Sequence, residues 1–209
     1  MQDDSLLAQW GSHCREAGLR EAGALGAQLI AAYGAPHRHY HGHGHLAFLF
    51  REIETRRSLI GDVALLCFAA WFHDAIYDPK AQDNEEHSAA WALQALPELG
   101  AAPGWVRSVE ALILKTKSHL TGPAGPDEAL FLDMDFAVIG APVSAYRQYA
   151  QAIRAEYSHL PDAVFRIGRS AFLANVLAQP RMFHTEIYED LYGAQARANL
   201  ADEIALLSA

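Results

Sequence analysis

Cysteine, positive charge, β-strand patterning and membrane-length apolar runs are all scarce in this chain. Its 209 residues include two cysteines, Cys14 and Cys67. They lie far apart, and Cys67 falls within an apolar run, so each reads as a small core residue rather than half of a disulfide, which suits a reducing cytoplasm. The 16 Lys+Arg face 25 Asp+Glu, a formal net charge of -9. That balance argues against a nucleic-acid polymer as partner, because such binding needs clustered positive charge. No basic-then-apolar leader opens the sequence, and the longest apolar run falls well short of the roughly 20 residues of a membrane span. A soluble cytoplasmic protein with no membrane partner is expected. There is no internal repeat, and the one biased segment is a histidine tract, His37, His39, His41, His43 and His45.

Apolar side chains are plentiful, at 51%, and their spacing is helical rather than alternating, as in Leu25, Leu29 and Ile30 or Leu200, Ile204 and Leu207. A chain of this length can bury a full core and is expected to form one domain over residues 1–209. Asp83, with Glu86 three residues on, forms a capping box for a helix over Asn84–Leu96, and Pro103 suits the first turn of a helix reaching Lys117. Gly122 to Pro126 is a loop. Beyond it the pattern predicts a helix over Asp127–Ile139 stopped by Gly140, a second from Pro142 to about Tyr157, and a third capped by Asp162 that ends before Pro180. The expected fold class is all-α, a helical bundle around a central buried helix.

That central helix is Val63–Phe72, ten apolar residues in succession that run into His73-Asp74. Burying an imidazole and a carboxylate at its end is costly unless something pairs with them, and a metal ion is the obvious partner. The C-terminal end of a helix also favours a cation. The histidine tract upstream and the acidic pair Asp133 and Asp135 downstream supply further ligands. His41 and His45 stand four apart and share a face if helical, so one can ligate while the other meets substrate or a second ion. A tract of histidines interleaved with glycines can instead be a surface scavenger of metal. The apolar pattern Leu46, Phe48, Leu49 and Ile53 makes His45 the opening of a core-packed helix.

These residues carry a resemblance. His45, His73-Asp74 and Asp135, in that order on helices, resemble the metal ligands of the HD superfamily of metal-dependent phosphohydrolases. The match is closer to the branch of predicted HD phosphohydrolases sometimes mislabelled as an NMDA-receptor-subunit-like protein. It extends through Tyr40-His41 with His45, Ala70-Trp71-Phe72-His73-Asp74-Ala75-Ile76-Tyr77-Asp78-Pro79 and Asp83-Asn84-Glu85-Glu86 with Ser88-Ala89. It continues through Thr116 with His119, Leu132-Asp133-Met134-Asp135 with Ile139-Gly140, Tyr146 with Tyr149, and Ile153-Arg154 with Glu156-Tyr157. The motif-bearing core spans residues 36–185. Gly42 and Gly44 around His43, and His87 where a basic residue is expected, depart from the pattern.

The resemblance implies an all-α HD domain and a hydrolase of small phosphorylated metabolites, nucleotides among them. It implies a divalent ion on His45, His73, Asp74 and Asp135, with His41 and Asp133 as alternative or supporting ligands; Asp135 is favoured because the superfamily places its last ligand just before an apolar stretch such as Phe136–Ile139. Nitrogen and oxygen ligands suit manganese, iron, cobalt, nickel or zinc, with magnesium also admissible. Asp74, Glu85 and His119 are the catalytic candidates, Glu85 orienting water or merely favouring a helix N-terminus. Lys117, Arg154 and Tyr157, with Lys115 and Arg169, are the candidates for substrate. Each has a plainer alternative: the lysines complement a helix end, Arg154 makes a structural ion pair beside Glu156, and Tyr146, Tyr149, Ile153 and Tyr157 form a core stripe. Two rival functions stand beside the hydrolase. One is a di-iron oxygenase drawing on His41, His87 and His119, and the other a sensor that binds metal and nucleotide without turnover.

Overall fold

The shortage of strand patterning carries through to the structure, a computed structural model that describes residues 2–119 and 122–208. All the regular secondary structure among the described residues is helical, with no strand. The chain divides into two compact units between Lys117 and Ser118.

The first unit comprises α1 (Gln2–Glu16), α2 (Gly23–Tyr33), α3 (His43–Thr55), α4 (Val63–Phe72), α5 (Asn84–Glu98) and α6 (Pro103–Thr116). Helix α4 lies at its centre, packed on α1, α3, α5 and α6. Every residue from Leu66 to Phe72 is buried, so a helix with no polar side chain is what the position demands. Asp62 starts it: one carboxylate oxygen accepts Leu65 N at 2.9 Å and the other accepts Trp105 Nε1 of α6 at 3.0 Å. Trp10 of α1 stands edge-on to Phe68 and Trp71, each at 5.4 Å between centroids. Gly26 of α2 lets that ring approach, since a Cβ there would lie 2.5 Å from Trp10 Cδ1. Cys14 and Cys67 are buried and free. Burial pushes the Cys14 thiol up to about 11 and the Cys67 thiol up to about 12, which leaves both as inert core groups.

Helix α5 begins where expected, but without the capping box. Asp83 makes no cap hydrogen bond and pairs instead with His87 Nε2 at 3.3 Å, while Glu86 binds the Lys117 ammonium. Side-chain partners at the surface outcompete the backbone amides for these carboxylates.

The second unit comprises α7 (Pro126–Phe136), a 3-10 turn (Ala137–Gly140), α8 (Val143–Glu156), α9 (Asp162–Leu177), the short α10 (Glu186–Tyr188), a π-helical segment (Glu189–Gly193) and α11 (Ala194–Ser208). The single helix expected over 127–139 is therefore α7 followed by a tighter turn. Gly140 closes it because the backbone of the π-helical segment passes too near for a side chain: a Cβ at 140 would lie 2.8 Å from Tyr192 O. Asp162 sits inside α9 rather than capping it, since Pro161 takes the cap position. Helices α9 and α11 pack together and enclose a buried pair, Arg169 Nε to Glu203 Oε1 at 2.8 Å. Tyr146 also donates to Glu203, and Arg169 donates to the Tyr149 hydroxyl at 3.3 Å. Tyr146, Tyr149 and Ile153 of the α8 stripe are thus core, with both tyrosine hydroxyls bonded. Among the described residues no single helix is long and apolar enough to cross a membrane.

Candidate metal centre

Helix α4 ends because His73 and Asp74 leave it. His73 keeps one helical bond, N to Ala69 O at 2.8 Å, and only 1% of its surface is exposed. Its ring position follows from a second bond. His73 Nδ1 lies 2.9 Å from Ala70 O, a carbonyl that can only accept, so Nδ1 carries a proton and Nε2 is the nitrogen turned towards His45. Outer-shell carbonyls fix the tautomer of metal-binding histidines in this way.

Opposite stands His45, 4% exposed, in the first turn of α3. Gly42 is held close in this turn. Gly42 is the cap residue with extended backbone, and a Cβ there would meet Tyr33 O at 3.2 Å. His43 pins the turn through Nε2 to Ile30 O at 2.7 Å.

The Nε2 atoms of His45 and His73 are 3.2 Å apart. Asp74 Oδ2 lies 3.1 Å from His73 Nε2 and 3.9 Å from His45 Nε2. A point about 2 Å from all three atoms satisfies these separations, which matches a transition-metal bond to nitrogen or oxygen. The negative end of the α4 dipole adds to the attraction for a cation. His45 and His73 belong to a His/Asp group that can hold a metal ion, and Asp74 lies beside both.

Two residues with no place in the sequence reading grip this corner. The Tyr33 hydroxyl donates to Ala70 O at 3.1 Å, accepts from Asp74 N at 3.3 Å and lies 3.4 Å from His73 Nδ1. Burial holds its pKa well above the ordinary phenol value, so it remains a neutral donor. Arg38 donates to the carbonyls of His41, Asp74 and Ala75. Tyr33 closes an apolar helix and Arg38 lies within the histidine tract, so neither shows a local signal of its partners.

His41 rests on the rings of Tyr77 and Tyr40, at 4.4 and 4.8 Å, with its own ring 6.1 Å from that of His45. His37 Nε2 meets Tyr77 O at 3.0 Å, and His87 is exposed beside Asp83. Glu85, half-buried, lies in the first turn of α5. Lys117 donates to Gln82 O at 2.7 Å and to Glu86; this exposed pair lowers the pKa of the Glu86 carboxyl and raises that of the Lys117 ammonium.

The acidic pair in the second unit has divided roles. Asp133, 1% exposed, accepts from His184 N at 2.7 Å, Thr185 N at 2.8 Å and the Thr185 hydroxyl at 2.6 Å. Burial raises its pKa, against these bonds. It fastens the segment before α10. Asp135 instead accepts from His119 Nε2 at 2.7 Å. The His119 ring stacks on Phe136 at 4.9 Å, and its carbonyl accepts from His184 Nε2 at 2.7 Å. Arg154 makes a structural ion pair with Asp162 at 3.3 Å and donates to the carbonyls of Tyr157 and Leu160. Tyr157, half-buried, stacks near His159 and Phe165. Arg169 is committed to Glu203, as described above.

No family model matches the chain, and no curated protein or solved structure matches it.

Proposed function

We propose that the protein is a metal-dependent phosphohydrolase acting on a small phosphorylated metabolite, a nucleotide among the candidates. The observation that carries this reading is the convergence of His45 Nε2, His73 Nε2 and Asp74 Oδ2 on one point at metal-bond distance. The fourth ligand of the reading is Asp135, which the family resemblance implies. Manganese, iron, cobalt, nickel or zinc suits such ligands. A divalent ion held there would lower the pKa of water and neutralise charge as a phosphorus–oxygen bond breaks.

The rest of the chemistry falls to the chain itself. His73, with its Nδ1 proton bonded to Ala70 O, would offer Nε2 to the ion. Asp74 contributes a negative charge beside the two imidazoles. Glu85 is proposed to orient the attacking water, and His119 to give a proton to the leaving oxygen. Lys117 and Tyr157 are proposed substrate contacts; Arg154 acts through the turn that carries Tyr157, whose carbonyl it holds.

Phosphate release from a panel of nucleotides and sugar phosphates, measured with manganese, cobalt, nickel or magnesium on untagged protein, tests the proposal. Turnover that disappears in Asp74→Asn is expected. Metal uptake with no phosphate released from any substrate would overturn the hydrolase in favour of the sensor or the oxygenase.

A further inference from the structure

We propose that Arg38 is a positioning residue: it fixes the main-chain path on which His73 Nε2 and Asp74 Oδ2 converge, and through that path sets the affinity of the site for a divalent metal. The inference rests on the metal-binding reading above. It starts from where α4 stops. Past Phe72 the helix no longer dictates the backbone, and the segment His73-Asp74-Ala75 turns away with Ala75 N on Phe72 O. Arg38 reaches this segment from the turn before α3. Its Nη1 donates to Asp74 O at 2.5 Å and to His41 O at 3.0 Å, and its Nη2 donates to Ala75 O at 3.0 Å.

The guanidinium therefore forks across two successive carbonyls and ties them to His41, four residues ahead of His45. It is held in turn by two rings, with Cζ 5.1 Å from the Tyr33 centroid and 5.4 Å from that of Tyr77. Tyr33 also carries the hydroxyl that meets Asp74 N, so the Asp74 backbone is gripped at its amide and its carbonyl by neighbouring side chains. A planar fork fixes both the direction and the spacing of the carbonyls it binds, which a point charge on a flexible stem does not. Arg38 acts through the main chain, and its effect falls on the ligand geometry.

The experiment is calorimetric titration of the full-length protein with Mn²⁺ alone, beside circular dichroism to verify the fold. Arg38→Ala is expected to keep its helix content and to bind Mn²⁺ about 10- to 100-fold more weakly. Arg38→Lys is expected to be weakened too, although it keeps the charge, and millimolar methylguanidinium is expected to restore part of the affinity in Arg38→Ala alone. Wild-type affinity in a folded Arg38→Ala or Arg38→Lys would overturn the proposal. If Arg38→Ala does not fold, the lysine variant decides; loss of fold in both would make Arg38 a brace of the fold and overturn its role in the site. Failure of the wild type to bind Mn²⁺ would be a separate result, overturning the metal reading itself.

Discussion

At the scale of single residues, Asp133 and Asp135 are two positions apart on one helix and bonded to entirely different groups. Asp133 answers three donors, from His184 and Thr185, and removing it leaves all three without their acceptor. Asp133→Ala is therefore expected to lower stability by at least about 2 kcal/mol in urea unfolding while leaving the metal content unchanged. Asp135→Ala is expected to lower metal content, read by elemental analysis after equilibration with Mn²⁺; the reverse pattern would exchange the two assignments. His13 gives a pH dependence unrelated to the metal. It accepts from Trp71 Nε1 at 3.0 Å, and burial, aided by Arg57, lowers its pKa from 6.5 to about 4. The unfolded chain takes up this proton below pH 6.5, and the folded chain resists until about 4. Stability from this group is therefore complete above pH 6.5 and is lost as pH falls towards 4, by up to about 3 kcal/mol, less because the ring is only partly buried. Urea midpoints measured from pH 7 to 4 should fall less steeply in His13→Asn than in the wild type.

At the scale of elements, the start of α4 rests on one carboxylate serving two helices. Asp62→Ala removes the cap and the partner of Trp105 together, and is expected to cost about 1–2 kcal/mol in denaturant unfolding with helix content otherwise retained. Helix α4 was legible in the sequence because nothing polar interrupts it, and a helix buried all round needs no further signature. His45 and His73-Asp74 were legible for a related reason: polar groups set at the ends of apolar segments call for partners. What remained hidden was the chemistry of side chains that meet from distant positions. Asp83 and Glu86 have the spacing of a capping box, yet Glu86 goes to Lys117 just past the end of α6, and no local pattern records that competition. Tyr33 and Arg38 are hidden in the same way, since every bond that places them at His73-Asp74 spans 36 or more residues of sequence. The divide between Lys117 and Ser118 was also illegible, because composition does not change there.

At the scale of the whole molecule, a metal bound by the native protein and not by the unfolded chain must raise stability by mass action. At a free concentration one hundred times its dissociation constant the increment is about 2.7 kcal/mol. The melting temperature is expected to rise with Mn²⁺, to fall back with a chelator, and to become insensitive to both in His73→Ala. A melting temperature indifferent to every divalent metal tried would count against a specific site. The formal net charge of -9 attracts cations to the surface without selectivity, so the His73→Ala control is what separates the centre from that background.

The Tyr33 hydroxyl touches the backbone or side chain of three neighbours at the end of α4, and one of them is the imidazole offered to the metal. Because the phenol stays neutral and buried, its surroundings change when that imidazole, the adjoining backbone or the Arg38 guanidinium over its ring changes. A fluorine on the ring would make it a resonance probe of the centre. With fluorotyrosine incorporated throughout, the signal missing in Tyr33→Phe identifies the resonance, and its shift on adding Mg²⁺ or Zn²⁺ would report arrival of the ion without any substrate in hand.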